Sequence, residues 1–374
     1  MKVPAGAIDC DIHPAVPNIK ALLPYLSDYW RDQFVNRYID RLPFTLTSYP
    51  PNSPLSCRPD WRPASGLPGS DIDALRRDAL DAFGTRYAIC NVLHGALALF
   101  NEDMAAALCA AINDWSAKEL LDRDPRLRAS ILLPVQNPEL AAKEIERLAR
   151  DHRFVQVVML VMGDALLGNR RFWPIYRACE KHGLPVGVHA GSTFRTAPTY
   201  SGWPSYQAED YVANGAAFEN MVVSFIAEGV FQQFPALKLV CIESGITWLP
   251  TLLWRLSKEW RGTRAEVPWI DRSPADIVRD HVRFTLQPVD APASDPDKLL
   301  RTMEHIGSDR VFLFSTDYPH WHFDGDDVLP EGLPDAMLQR LLTENAFETY
   351  PRLREGGIIG GEDKNTAHRN DEAL

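Results

Sequence analysis

Eight short apolar runs, each followed by a helical pattern or by a loop and a helical pattern, constrain the fold of this chain most. The runs occupy residues 7–13, 87–93, 127–135, 154–162, 184–189, 237–242, 282–286 and 311–315. Short apolar strands that alternate with helices are typical of a parallel sheet covered on both faces. Eight such units in ~310 residues predict an α/β fold of the closed, TIM-like (β/α)8 barrel type.

An open, doubly wound sheet is the competing architecture. Such a sheet normally carries a glycine-rich phosphate-binding turn directly after its first strand. Residues 11–17 of this chain read D-I-H-P-A-V-P and contain no glycine. The sequence therefore favours the barrel.

The predicted domain organisation is one barrel over residues 1–355 with a proline-rich insertion at 41–70. The insertion follows the first strand and a helix predicted over 19–29, and it lacks periodic apolar spacing. A segment of this kind is typical of a lid or an interface arm. Its apolar surface, with that of the tryptophans, favours a homodimer. Residues 356–374 are polar and glycine-rich, and we expect them to form a flexible tail.

The net charge of the chain limits the classes of partner that it can bind. A net charge of −11 argues against binding to nucleic acid or to an anionic membrane surface. No apolar run reaches the ~18 residues of a membrane span, and no basic and apolar leader opens the chain. We therefore expect a cytoplasmic protein that acts on a small molecule.

The first strand carries an unusual set of polar residues. Strand alternation predicts that Asp9, Asp11 and His13 share one face while residues 8, 10 and 12 share the other. Two neighbouring carboxylates repel each other unless a positive charge lies between them. A divalent cation would supply that charge. An exposed edge strand with a capping Asp and a loop His is the alternative.

Later strands also end in potential metal ligands. His189 closes the fifth strand, Glu243 the sixth and Asp317 the eighth. Taken singly, His189 could be a packed core residue and Asp317 a helix cap. In a barrel, however, the carboxyl ends of all strands meet at one mouth. Mixed imidazole and carboxylate ligands with an open position are what a catalytic zinc-type site requires.

The motifs D-x-H on strand one, H-A-G on strand five and S-T-D-Y-P-H on strand eight resemble the amidohydrolase superfamily. The resemblance is to its amidohydrolase 2 branch, which includes aminocarboxymuconate-semialdehyde decarboxylase and resorcylate-type decarboxylases. It implies a TIM-like barrel with one divalent metal ion. The ligands that it implies in this chain are Asp11, His13, His189 and Asp317. Zinc is the expected ion, and the carboxylate of Asp11 makes manganese the alternative.

The sequence departs from the decarboxylase pattern on strand six. Decarboxylases of this branch resemble one another in a histidine there, commonly within H-x-G, whereas this chain has Glu243-Ser244-Gly245. A glutamate cannot be a cationic partner to an oxyanion, but it can act as a base, a hydrogen-bond acceptor or an extra ligand.

This departure favours hydrolysis of a small aromatic or cyclic substrate by a metal-activated water. The resemblance implies that Asp317 is the general base, and Glu243 would orient the water or leaving group. His320 is a candidate proton relay or substrate contact, with a structural loop histidine as the alternative. The alternatives are non-oxidative decarboxylation of an aromatic or unsaturated acid, and a metal-binding protein without catalysis.

Four further residues are candidates for substrate contact because they are placed in loops near the predicted mouth. Arg58 could bind a carboxylate, and aromatic side chains suit a flat substrate. The alternatives are a solvated arginine and ordinary packing of the aromatic rings. The four candidates are Arg58, Trp203, Tyr318 and Trp321.

Overall fold

Eight parallel strands form one sheet in the order in which they occur in the chain. The computed structural model describes residues 3–40, 42, 57–197, 202–292, 295–320 and 329–355. The strands are β1 (Ile8–Ile12), β2 (Tyr87–Cys90), β3 (Leu127–Leu132), β4 (Phe154–Met162), β5 (Val186–Ser192), β6 (Leu239–Ile242), β7 (Val282–Thr285) and β8 (Phe312–Leu313).

Hydrogen bonds between β1 and the segment after β8 close the sheet into a barrel. The amide of Cys10 donates to the carbonyl of Phe314 at 2.9 Å, and that of His13 donates to the carbonyl of Tyr318 at 2.7 Å. The amide of Asp317 donates in the opposite direction, to the carbonyl of Asp11 at 3.1 Å. The predicted TIM-like (β/α)8 barrel is therefore confirmed.

Helices follow the strands around the outside of the barrel. The α-helices are α1 (Asp28–Asn36), α2 (Ile72–Leu75), α3 (Glu102–Ser116), α4 (Pro138–Leu148), α5 (Trp173–Lys181), α6 (Gln207–Ala227), α7 (Val230–Gln233), α8 (Leu249–Thr263), α9 (Pro274–His281), α10 (Pro296–Ile306), α11 (Asp335–Gln339), α12 (Asn345–Thr349) and α13 (Arg352–Glu355). π-Helical turns continue three of them, over Arg76–Asp81, Ala117–Leu121 and Arg340–Glu344. Short 3₁₀ turns occupy Ile19–Tyr25, Pro59–Trp61, Gly95–Ala98 and Arg170–Phe172.

The helix predicted over 19–29 is wrong in extent. The chain forms a 3₁₀ turn over Ile19–Tyr25, and the separate helix α1 begins at Asp28. Pro24 lies inside the turn. Its ring has no N–H to donate, so it does not support a continuous α-helix. Helix α9 is an element that the sequence patterns do not predict.

Two apolar clusters fill the molecule. The larger one lies between the strands and the surrounding helices. The smaller one joins side chains from β1, β2, β4, β6 and β8, which can meet only inside the barrel, and Tyr350 and Leu353 complete it. The cluster includes Ile8 and Tyr87, the first residues of β1 and β2, so residues 350–353 close the barrel on the side away from the carboxyl ends of the strands.

The predicted alternation along the first strand is wrong for its apolar residues. Ile8 and Cys10 belong to the cluster inside the barrel rather than to the outer layer. The pairing of β1 with β2 shifts register between Asp9 and Ile12. Such a bulge breaks the two-residue period and turns later side chains to the other face. The register shift allows the side chains of the consecutive residues Cys10 and Asp11 both to point into the barrel.

Three predictions about the periphery stay predictions. Most of the arm and the whole of 356–374 lie outside the described residues. The structure contains one chain, so the homodimer is untested. Across the part of the chain that the structure describes, we find no helix with the length and apolar character needed to cross a membrane.

Candidate metal centre

The four ligands implied by the sequence converge at the carboxyl ends of the strands. Nε2 of His13 lies 3.1 Å from Oδ1 of Asp11 and 3.2 Å from Oδ1 of Asp317. Nε2 of His189 lies 3.4 Å from Nε2 of His13. All four side chains are buried. Strands one, five and eight therefore bring their polar ends to a single point.

Backbone carbonyls fix how the two imidazoles point. Nδ1 of His13 lies 3.0 Å from the carbonyl oxygen of Asn91, and Nδ1 of His189 lies 2.6 Å from that of Ala190. A carbonyl only accepts, so Nδ1 is the donor in both rings. Nε2 of each ring then faces the cluster centre. Metal-binding histidines commonly use their second nitrogen in this way.

Glu243 and His320 join the same cluster. Oε1 of Glu243 lies 3.1 Å from Nε2 of His13 and 3.0 Å from Nε2 of His189. Nδ1 of His320 lies 2.6 Å from Oδ1 of Asp317 and 3.2 Å from Oε1 of Glu243. The ring of His320 stacks on that of His13 at 4.5 Å. All the predicted catalytic residues thus lie together with the predicted ligands.

Two acidic residues of the cluster have a left-handed backbone. Glu243 has φ of 56° and Asp317 has φ of 58°, a conformation that costs free energy in a residue with a side chain. Backbone strain of this kind persists where the surroundings require it, and it is concentrated at functional sites. The strain at these two positions therefore points to a function at this cluster.

The carboxylates and imidazoles shift one another's pKa. Burial raises the pKa of Asp317 to about 6, and the charge of Glu243 adds to the rise. Burial disfavours the charged form of His320, but the charge of Asp317 and the hydrogen bonds to Asp317 and Glu243 together outweigh it and raise the pKa of His320 to about 9. Burial also opposes ionisation of Glu243, yet the charge of His189 and hydrogen bonds from the imidazoles hold its pKa well below its usual range. The centre thus stabilises positive charge, whether as protons or as a cation.

A divalent metal ion fits these residues. Oδ2 of Asp11 and Oδ2 of Asp317 are buried and have no hydrogen-bond partner among the described residues. Buried carboxylate oxygens without a partner are costly. Ligand atoms of Asp11, His13, His189 and Glu243 all lie within 4.8 Å of one another, and so do those of His13, Glu243, Asp317 and His320. A cation among them would satisfy the carboxylates.

A buried polar network supports Asp11 and was missed by the sequence analysis. Nδ2 of Asn91 donates to Oδ1 of Asp11 at 2.8 Å. The amide of Gln156 donates to Ser130 at 2.8 Å and to Asn91 at 3.1 Å, and the hydroxyl of Ser130 donates to Asn91. The signal in the sequence was the presence of polar residues in apolar surroundings: Ser130 within β3, Gln156 within β4 and Asn91 directly after β2. Its partners could not be known without the barrel.

Asp9 does not join the cluster. Its carboxylate accepts hydrogen bonds from the amide and the hydroxyl of Thr316 at 3.0 and 2.6 Å, and from the amide of Asp11. Asp9 therefore ties β1 to the segment after β8. The shared face predicted for Asp9, Asp11 and His13 is wrong for Asp9, because the bulge in β1 interrupts the alternation.

The candidate substrate-binding residues differ in how exposed they are and in what they contact. Trp203 is 55% exposed. The ring of Tyr318 is buried and packs on Trp61 at 4.9 Å. Arg58 binds both oxygens of Asp60 and stacks on Trp61, while its amide donates to the carbonyl of Pro319 beside His320. Trp321 lies outside the described residues. Substrate contact by these four residues stays a prediction.

Comparison with known proteins gives a family and a set of relatives. The model of the amidohydrolase family matches residues 8–352. Gamma-resorcylate decarboxylases from Polaromonas sp. strain JS666 and from Rhizobium sp. strain MTP-10005 are each 26% identical over 268 residues, which is 68% of this chain and 79% of the relative.

Solved structures share the fold over almost the whole chain. The 5-carboxyvanillate decarboxylase from Sphingomonas paucimobilis has a TM-score of 0.67 at 20% identity and covers 93% of this chain and 99% of its own. A dihydroxybenzoic acid decarboxylase from Polaromonas sp. JS666, solved with bound manganese and 2-nitroresorcinol, has a TM-score of 0.64 at 20% identity and covers 93% and 97%. An amidohydrolase from Mycobacterium avium subsp. paratuberculosis K-10 has a TM-score of 0.69 at 21% identity, with coverage of 93% and 99%.

Proposed function

This chain belongs to the amidohydrolase family, and from that premise we propose that it is a metal-dependent decarboxylase of an aromatic hydroxy acid. The residues of strand six favour hydrolysis when the sequence is taken alone, with decarboxylation as the alternative. The named relatives are decarboxylases of aromatic acids, which supports the alternative more than the first interpretation. The observation that carries the proposal is the convergence on one point of Asp11, His13, His189 and Asp317.

We assign the metal ligands to these four side chains. The two carboxylates are hard ligands and favour manganese over the zinc expected from the sequence. The manganese in the Polaromonas decarboxylase structure supports the same choice. When bound, the ion would supply positive charge that holds the oxygen atoms of the substrate carboxylate and of a neighbouring hydroxyl.

The pair Asp317 and His320 is the proton source in this proposal. Decarboxylation breaks the bond between the ring carbon and the carboxyl carbon, and carbon dioxide leaves. The electron pair stays on the ring carbon, which must take up one proton. Oδ1 of Asp317 shares a hydrogen bond of 2.6 Å with Nδ1 of His320, so the two side chains can pass a proton between them. The side chain of His320 is 28% exposed, so it can return a proton from solvent.

The test is a turnover assay on the manganese-loaded protein with dihydroxybenzoates and carboxyvanillate in deuterated water. We expect carbon dioxide release and deuterium at the carbon that carried the carboxylate. D317N should lower turnover by about 10²- to 10⁴-fold, the usual contribution of general acid–base catalysis. D335N changes an exposed aspartate on α11 and serves as the matched control.

Hydrolysis remains the second candidate because of Glu243. A carboxylate at this position lies against two imidazoles, where the resemblance to the decarboxylase branch predicts a histidine. Cleavage of cyclic amides or esters, with ¹⁸O from labelled water in the product and no carbon dioxide from any acid, would replace the decarboxylase proposal with this one.

A further inference from the structure

The side chain of Glu243 lies among the proposed ligands. Its Oε1 atom lies 3.0 Å from Nε2 of His189 and 3.1 Å from Nε2 of His13, the two atoms that the carbonyls aim inward. We propose that Glu243 is a fifth protein ligand of the divalent ion. This inference rests on the metal site of the proposed function and adds a ligand from the loop after β6.

The distances from Nε2 of His13 to the other ligand atoms match those around one ion. Metal bonds of ~2.1 Å place adjacent ligand atoms ~3.0 Å apart in octahedral geometry and ~3.4 Å apart in tetrahedral geometry. The separations of Nε2 of His13 from oxygens of Asp11, Glu243 and Asp317 are 3.1, 3.1 and 3.2 Å. The two histidine nitrogens are 3.4 Å apart. The Glu243 oxygen therefore has the same spacing as the other proposed ligands.

The loop after β6 holds Glu243 rigidly. The amide of Glu243 donates to the hydroxyl of Thr285 at 3.0 Å, and its backbone keeps the left-handed conformation. The carboxylate of Asp290 accepts hydrogen bonds from the amides of Ile246 and Thr247, both at 3.1 Å. Gly245 also has positive φ, and a Cβ there would lie 2.4 Å from Asp290. Such pre-organisation is what a ligand needs to meet an ion without rearrangement.

A fifth ligand changes the character of the site. Three carboxylates and two neutral imidazoles give the ligand set a charge of −3, since each ionised carboxylate contributes one negative charge. Five ligands exceed the four of closed zinc sites, and oxygen-rich sets suit manganese. Glu243 thus increases the preference for manganese over zinc.

The experiment measures Mn²⁺ binding to the metal-free, full-length protein, with free Mn²⁺ followed by electron paramagnetic resonance. Loss of a residue that merely supports a ligand weakens metal affinity by about 10- to 100-fold. We expect E243Q to raise the Kd for Mn²⁺ at least that much and to lose most of the rise in Tm that Mn²⁺ gives the parent protein. E243D keeps a carboxylate on a shorter side chain and should fall between the two. E259Q removes an exposed glutamate of α8 and is the matched control.

The outcomes separate this inference from the proposed function. If the parent protein and folded E243Q bind Mn²⁺ with Kd values within twofold, Glu243 is not a ligand, and the four-ligand site stands. If the parent protein takes up no divalent ion while it is folded by circular dichroism, the metal site of the proposed function fails as well. Should E243Q not fold, E243D is the deciding variant. If its Kd for Mn²⁺, its rise in Tm with Mn²⁺ and its preference for Mn²⁺ over Zn²⁺ all equal those of the parent protein, Glu243 is not a ligand.

Discussion

The side-chain amide of Asn91 donates a hydrogen bond of 2.8 Å to Oδ1 of Asp11. The main-chain carbonyl of the same residue accepts from Nδ1 of His13 at 3.0 Å. Asn91, which directly follows β2, therefore orients two proposed ligands, Asp11 within β1 and His13 just after it. Such outer partners fix the direction of the ligand and the tautomer of the imidazole.

Replacement of Asn91 by alanine should weaken metal binding without unfolding the protein. The lost side-chain bond frees the carboxylate of Asp11, and outer partners of this kind contribute about 10- to 100-fold in affinity. The Kd for Mn²⁺ by isothermal titration is the measurement. N220A removes an exposed asparagine of α6 and should leave the Kd unchanged. An unchanged Kd in N91A would mean that Asp11 needs no such support.

A methyl group at Gly69 should disturb the end of β1. Gly69 has φ of +75°, and a Cβ there would lie 2.3 Å from the carbonyl oxygen of His13. G69A combines the strain of positive φ, about 1–3 kcal/mol, with a backbone clash. Gly183 has φ of +62° with nothing within 4 Å of a Cβ, so G183A isolates the strain. Urea unfolding should show the larger loss for G69A, together with weaker Mn²⁺ binding. Equal losses in the two variants would contradict the clash.

Arg352 should stabilise the closed end of the barrel. Its guanidinium donates to the carbonyls of Phe154, His182 and Ala149 at 2.9, 3.0 and 3.0 Å. Loss of buried, charge-assisted hydrogen bonds in R352A should cost about 3 kcal/mol of unfolding free energy. R354A, two residues along and exposed, should change it by less than about 0.5 kcal/mol. Comparable urea midpoints for the two variants would remove this role.

Deletion of residues 356–374 tests the predicted tail. The segment is polar and glycine-rich, which is typical of a terminus that adds little to a core. We expect the truncated chain to unfold within about 0.5 kcal/mol of the full chain and to keep its turnover. A clear loss of stability would show that the barrel domain extends beyond residue 355.

His281 should make stability depend on pH. Burial lowers its pKa below the ordinary 6.5, and its ring packs on Phe231 at 4.6 Å while Nδ1 faces the carbonyl of Leu237 at 3.0 Å. The unfolded chain then binds a proton more readily than the folded one. The contribution of His281 is therefore complete above about pH 6.5 and is lost as the pH falls.

The measurement is the unfolding free energy at pH 7 and at pH 5. H281Q should lose less stability over this interval than the parent protein, and H305Q, at an exposed position on α10, should lose as much as the parent. Parallel losses in all three proteins would exclude His281 as the source.

Local sequence patterns are enough to predict the barrel and the chemistry of its mouth. Apolar runs and helical periods predict eight strand–helix units, and the residue types at the strand ends predict a cation site. Because the carboxyl ends of parallel strands meet at one face, the order of the strands predicts that the polar residues closing strands one, five, six and eight lie near one another. The choice of Asp11, His13, His189 and Asp317 as ligands depends on the resemblance to the amidohydrolase superfamily.

Contacts between distant parts of the chain fix where the side chains point. The bulge in β1 separates Asp9 from Asp11, the left-handed backbone and the hydrogen bond to Thr285 turn Glu243 toward the histidines, and packing on Trp61 buries Tyr318. These features depend on strand register and on residues far apart in sequence. Local propensity does not encode them, because a one-residue shift in pairing reverses the face of every later side chain.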